Sequence, residues 1–272
     1  MDKFNYYDQI ASIYDQTRWM TESIAEEVTD FILALVEATP TTSFLEPGVG
    51  TGLNILPLVR RGYTVTGVDL SQAMLDQLRR KLRELPPNLR LMQADASKLP
   101  FPDASFDVVL TVHMIHTVSH WEEFLADIDR VLKPGGFYLN AQWITPPARL
   151  EFERQFRAIL AKYQETTVSH QGGPTVGTIE VDDYFCHKGY RSNYVVAKQW
   201  RVSNTVEELL GFFKSRAYGF CWQVPDEVFC GAMEAFEVFC HDHYGALETE
   251  LSSEAKFEIW AYHPTSCFAS LD

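Results

Sequence analysis

The stretch that most constrains this chain is 44–52, FLEPGVGTG, an apolar run that breaks into glycines at every second position, Gly48, Gly50 and Gly52. Glycine enters left-handed backbone without steric cost and lets main-chain N–H groups come close to a ligand. The run therefore predicts a buried strand, a tight turn and the start of a helix. A turn of that kind holds a nucleotide-like ligand.

Alternation follows it. Strand-like runs at 43–47, 63–69, 89–94, 105–112 and 136–143 are interleaved with helical patterns at 52–61, 71–84 and 121–132. Strands and helices of these lengths predict an α/β fold: a mainly parallel sheet covered on both faces, with its ligand at the strand C-terminal ends. Ahead of the first strand, Ile24, Val28, Phe31, Ile32 and Leu35 recur at helical spacing behind Thr21, a candidate N-cap. The KPGG turn at 133–136 ends one helix and opens the next strand. Beyond 143 the pattern loosens into a helix at 146–163, a flexible SHQGGPTVG at 169–177, a short helix at 178–188, strands at 193–202 and 254–263, and helical stripes between those strands.

Two acids decide the class of ligand. Glu46 stands just before the glycines and Asp69 ends the second strand, where a carboxylate can accept both hydroxyls of a ribose. The spacing G-x-G-x-G departs from the G-x-G-x-x-G that seats a pyrophosphate on a helix. A carboxylate at Glu46 would repel a pyrophosphate and favour a cation.

With these residues the chain resembles the class I S-adenosylmethionine (SAM)-dependent methyltransferases, in their small-molecule, UbiE-like or type 11 branch. The resemblance rests on ExGxGxG at 46–52, Asp69, QADA at 93–96, SFDVVLTVHMIH at 105–116 and VLKPGG at 131–136, in order and spacing. It covers residues 4–143 well and the remainder in outline.

The resemblance implies a Rossmann-like, seven-stranded, mainly parallel sheet with an antiparallel last strand and helical lid insertions, in one domain over 1–272. Residues 1–40 would be helices covering the cofactor, 41–143 the SAM-binding core, 144–177 and 203–252 the lid and acceptor insertions, and 178–202 with 253–265 the last strands, the final one inserting between the fifth and sixth. SAM would be the methyl donor and S-adenosylhomocysteine (SAH) the product, held by Tyr14, Glu46, Gly48, Gly50, Gly52, Asp69, Leu70, Met74, Asp95, Ala96 and Val112. Tyr14 would lie near the cofactor or pack on the sheet; Asp95 would bind the adenine amine or cap a turn; Leu70 and Met74 would meet the adenine or the core. Asp107 begins its strand, at the edge opposite the ligand, and is expected to be structural.

Methyl transfer from a sulfonium is an in-line displacement, so the protein has mainly to align acceptor and methyl at about 3–3.5 Å and keep water out. A base helps where the acceptor is a neutral hydroxyl or an activated carbon. His113 and His116, three apart just past the fourth strand, are the catalytic candidates, with His116 first as general base; pocket lining or scaffold is the alternative for both. Of the aromatic residues in the insertions, Trp143, Phe156, Phe213 and Trp222 are expected to bind the acceptor, a small, largely apolar molecule of aromatic or indole-like character methylated on oxygen or nitrogen. C-methylation of a quinone or isoprenoid ring, a non-catalytic SAM sensor, and a nicotinamide-dependent oxidoreductase are the competing readings.

Net charge narrows the partners. At −14 the chain is a poor match to nucleic-acid phosphates. No apolar run reaches the roughly 18 residues of a membrane span, and MDKFNYYDQI lacks a signal-peptide core. Five cysteines without a C-x-x-C pair suit a reducing compartment. A cytoplasmic enzyme of small-molecule or natural-product metabolism, monomer or homodimer, is expected. Cys230, Cys240, His241 and His243 could be imagined as metal ligands, but they lie on a helix whose apolar stripe already explains the two cysteines, and no metal is expected.

Overall fold

The computed structural model describes residues 3–118, 120–164 and 178–264; the expected flexible run at 169–177 lies outside the described residues. Seven strands form one sheet: β1 (Ser43–Pro47), β2 (Thr64–Asp69), β3 (Leu89–Gln93), β4 (Phe106–Val112), β5 (Leu132–Ile144), β6 (Tyr190–Thr205) and β7 (Glu250–Pro264). Their order is β3-β2-β1-β4-β5-β7-β6. The first five pair in parallel, and β7 runs antiparallel between β5 and β6. The strand order reverses between β1 and β4, the switch point beside which an open α/β sheet binds its ligand, and the glycine turn leaves β1 there.

Alternate side chains of each strand feed opposite faces. Phe44, Val65, Val108, Leu139 and Ile259 enter one core, closed by Val28 and Ile32 of α2 (Glu22–Leu35). Leu45, Val68, Val109, Tyr138 and Tyr262 enter the other, closed by Phe124 and Ile128 of α5 (Trp121–Val131) and Phe185 of α7 (Thr178–His187). Thr21 caps α2, its Oγ1 accepting from Ile24 N at 3.3 Å. Asp107 pins the opposite edge of the sheet: its Oδ2 accepts from Ser43 N at 2.8 Å, Ser43 Oγ at 2.6 Å and Lys133 Nζ at 2.8 Å.

Three elements depart from expectation. The helix after the glycine turn, α3 (Leu56–Arg60), begins four residues later than the predicted 52–61, because Gly52 sits at φ +80° and cannot lie in a right-handed helix. KPGG is a bulge within β5: Leu132 pairs with Phe106 and Phe137 with Val108, which leaves 133–136 outside the ladder. β6 and β7 are longer than predicted and pair from Tyr190↔Pro264 to Thr205↔Glu250, with a register shift between Val196 and Lys198.

That long hairpin carries a helical insertion. α8 (Val206–Lys214) starts directly from β6 behind Thr205, which forms a capping box with Glu208. With α6 (Pro147–Gln164) and α9 (Asp226–Tyr244) it builds a third core around Phe152, Phe156, Phe213 and Phe236. The remaining helices are α1 (Lys3–Ile10) and α4 (Gln72–Lys81). No helix among the described residues is long and apolar enough to cross a membrane.

Candidate active site

The glycine turn folds around Val68 and Asp69. Gly48 N and Val49 N donate to Val68 O at 2.7 and 2.9 Å. Gly50 N donates to Asp69 Oδ2 at 2.7 Å, and Ser71 N to Asp69 Oδ1 at 2.8 Å. Gly48, Gly50 and Gly52 hold φ of +72°, +53° and +80°. A Cβ on Gly48 would meet Met114 Sδ at 2.6 Å and one on Gly52 would meet Leu78 at 2.7 Å, whereas one on Gly50 would meet nothing within 4 Å. The turn is therefore closed against the protein at its ends and open at its middle.

Glu46 lies under that turn, 1% exposed. Its Oε1 accepts from Asn54 Nδ2 at 2.8 Å, and its buried Oε2 has no partner. Burial first, and the nearby Asp69 charge, hold its carboxyl well above the usual range despite the Asn54 hydrogen bond. Asp69 is raised too, by burial acting against its backbone hydrogen bonds from Ser71 and Gly50.

The N-terminal segment closes over this region. Thr51 Oγ1 donates to Asp15, Lys81 Nζ ion-pairs with Asp15 and also donates to Thr51 O at 2.8 Å, and Ser71 Oγ donates to Asp8. Buried Ile10, Ala11 and Met74 cluster with Tyr7, Tyr14 and Trp222, and the Tyr7 and Trp222 rings meet edge-on at 5.0 Å. Burial, and then Tyr14, push the Tyr7 hydroxyl up to about 12. Trp222, grouped from sequence with the acceptor-binding aromatics, thus stands beside the N-terminal cover with Tyr14 and Met74. Leu70 is half-buried, while Ala96 and Val112 are buried. Asp95 is exposed, and its Oδ1 accepts from Ser97 N at 2.9 Å in a turn cap.

The two histidines sit past the C-terminal end of β4. His113 takes φ +53°, and its Nε2 lies 2.9 Å from Trp143 O and 3.0 Å from Trp143 N, so in either tautomer the ring bonds to that main chain. Its pKa falls to about 3, through burial first and the neighbouring His116 second. His116 is exposed on a 3-10 turn, Ile115–Thr117, its ring 6.2 Å from that of His113 and edge-on to it. Trp143 is buried and touches the Trp19 ring edge-on at 6.4 Å.

A cavity of about 80 Å³ is lined by Arg18, Trp19, Arg149, Glu153, Phe213 and Tyr218 among others. Phe213 thus reaches a cavity wall. Phe156 is fully enclosed in the third core, against Phe213, Phe220, Phe229 and Phe236 at 5.1–6.0 Å. Arg18 and Arg149 escaped sequence reasoning, because two single arginines so far apart carry no spacing signal. The acids Asp8 and Asp15 escaped it too, although the YD pairs at 7–8 and 14–15 mark their positions.

The comparisons bear on this geometry. Residues 45–140, from β1 through most of β5, match the family model described as a methyltransferase domain. The chain is 34% identical over 142 residues to a demethylmenaquinone methyltransferase of Tropheryma whipplei, covering 52% of this chain and 58% of that protein. It is 43% identical over 94 residues to a phosphatidylethanolamine N-methyltransferase of Cereibacter sphaeroides, covering 34% of this chain and 46% of that protein. The matches thus span about half the length of these relatives. In fold, it resembles the YcgJ protein from Bacillus subtilis, with a TM-score of 0.55 and 18% identity over 87% of this chain and 97% of that one. Residues 45–140, which carry the glycine turn, the acid ending β2 and the switch point, are thus the part of the chain that is similar to the methyltransferase domain family.

Proposed function

We propose that the protein transfers a methyl group from SAM to oxygen or nitrogen of a small, largely apolar acceptor. The observation that carries this reading is the orphaned Oε2 of Glu46, sealed beneath the turn with a second carboxylate, Asp69, nearby. An unpartnered buried acceptor calls for a donor, and two acids at one turn call for a cation and reject a pyrophosphate. SAM, when bound, supplies both: a cationic amino-acid end and a methyl group activated by a sulfonium.

Within this reading Glu46 and the turn at 48–52 hold the cationic end, Asp69 the ribose hydroxyls, and Leu70, Asp95 and Ala96 the adenine side, with Val112 closing the floor. Tyr14, Met74 and the rest of the N-terminal cover exclude water. The Asp15 contacts to Thr51 and Lys81 latch that cover to the turn itself.

His116 is the group we assign to accept the proton of a hydroxyl or ammonium acceptor, as an exposed imidazole at the end of β4. His113 is a positioning residue, since its Nε2 is committed to Trp143 and its basicity is low. Phe213 and Trp143 contribute apolar wall. A quinone acceptor is the second reading, favoured by the relative named for demethylmenaquinone.

The test is calorimetric titration with SAM and, separately, SAH, followed by a labelled-methyl screen of phenols, amines, indoles and quinones. Micromolar binding of both is expected, at about −8 kcal/mol. Failure of either to bind well above that range sinks the proposal.

A further inference from the structure

The cavity between lid and N-terminal cover presents two guanidiniums and an indole N–H against a single carboxylate, Glu153. Arg149 is 7% exposed; its Nε donates to Asn204 Oδ1 at 2.8 Å and its Nη1 to Thr17 O at 3.2 Å, which leaves Nη2 unpartnered among the described residues. Arg18 lies 4.0 Å over the Tyr14 ring and makes no ion pair among the described residues. Trp19 Nε1 is buried without a partner. The carboxylate on this wall, Glu153, is paired with Arg157 Nη2 at 2.6 Å through its Oε1 alone.

A buried cation is costly unless closely paired, and the carboxylate that favours the Arg149 cation, Glu208, stands behind Asn204 rather than against the guanidinium. The Trp19 and Phe212 rings, 5.2 and 5.3 Å from the Arg149 guanidinium, offset only part of that cost. Burial, together with the charge of Arg18, already disfavours the Arg149 cation. In a chain of net charge −14, two guanidiniums facing one aromatic cavity are a local exception.

We propose that this cavity takes a carboxylate of the methyl acceptor between Arg18 and Arg149, with the Trp19 indole N–H as a third donor. A planar carboxylate matches the guanidinium fork, and the Glu153 side chain on the same wall disfavours the higher charge of a phosphate. Leu209, Phe213 and Tyr218 supply apolar wall for the ring or chain attached to it. The cavity stands at the reacting edge of the sheet: Thr145, one residue past β5, lines it, and Trp19 packs on Trp143, which anchors His113. The acceptor is accordingly an apolar acid, anchored at one end and methylated at the other. This inference rests on the methyltransferase reading.

The test uses the full chain with SAH present and three probes, phenylacetate, phenylacetamide and phenyl phosphate, followed by calorimetry and tryptophan fluorescence. Phenylacetate is expected to bind with a Kd below ~1 mM, about tenfold tighter than the neutral amide and no weaker than the phosphate. Arg18→Met, which removes no hydrogen bond from the fold, should weaken phenylacetate about tenfold while leaving the melting temperature in place. Arg149→Met should do the same if it folds. Equal binding of acid and amide, unchanged affinity in Arg18→Met, or a preference for phenyl phosphate would each overturn the proposal. SAH is titrated alone in parallel: its binding with failure of phenylacetate removes this inference only, and its failure removes the methyltransferase reading instead.

Discussion

The imidazole of His113 is fixed to the main chain of Trp143, with Nε2 2.9 Å from the carbonyl oxygen and 3.0 Å from the amide nitrogen. This contact ties the end of β4 to the end of β5, just ahead of α6. Trp143 passes the constraint on through its edge contact with Trp19 in the N-terminal segment. One side chain thereby couples the sheet edge to the N-terminal segment.

The His113 ring is expected to stay neutral between about pH 5 and 8, since burial and His116 hold its pKa at about 3. The unfolded chain titrates near 6.5, so it takes up the proton first as pH falls. His113 therefore contributes stability that is full above about pH 6.5 and is lost as pH drops toward 3. Ring NMR should show no titration in the neutral range, and His113→Gln should flatten urea-unfolding stability below pH 6.5; an imidazole that titrates near 6.5 refutes the assignment.

Glu46 works in the opposite direction. Its folded pKa lies well above the unfolded value, so its stabilising contribution is full below about pH 4.5 and is lost as pH rises through the folded value. Glu46→Gln should raise ligand-free stability at neutral pH by about 1–2 kcal/mol and weaken SAM about tenfold. Urea denaturation and calorimetry on the same variant check both. A stabilised variant with undiminished SAM affinity removes Glu46 from the cofactor site.

Gly52→Ala and Gly50→Ala should separate folding from binding. At Gly52 a Cβ combines φ +80° with a 2.7 Å approach to buried Leu78, a loss of about 2–3 kcal/mol. At Gly50 it meets open space at φ +53°, for about 1 kcal/mol, and obstructs whatever approaches the open middle of the turn. Chemical denaturation with SAH titration should rank Gly52→Ala worse for stability and Gly50→Ala worse for affinity relative to its stability loss.

Asp15→Ala should release the cover from the turn, since it removes the acceptor of Thr51 Oγ1 and the ion partner of Lys81. Hydrogen exchange over 7–17 should accelerate and SAH dissociation quicken several-fold, while global stability changes by less than about 1 kcal/mol. Unaltered exchange in that segment would show that the latch is not what holds it.

What the sequence determined by itself was local in origin. The strand–helix alternation from 43 to 143, the left-handed glycines at 48, 50 and 52, the acid ending β2 and the Thr21 cap all follow from steric and periodic rules acting over a few residues, and the sheet shows each of them. Even the seven strands, with the last one antiparallel between the fifth and sixth, were expected through the family pattern in those same motifs. Packing between distant segments decided the rest. The long β6–β7 hairpin carried α8 and α9 into a helical insertion whose core enclosed Phe156 and left Phe213 on a cavity. The same packing drew Trp222 to Tyr7, fastened His113 to Trp143 and brought Arg18 to face Arg149. No periodicity encodes those pairs: which side chains meet across a cavity depends on how whole elements stack, and that stacking exists only in the folded chain.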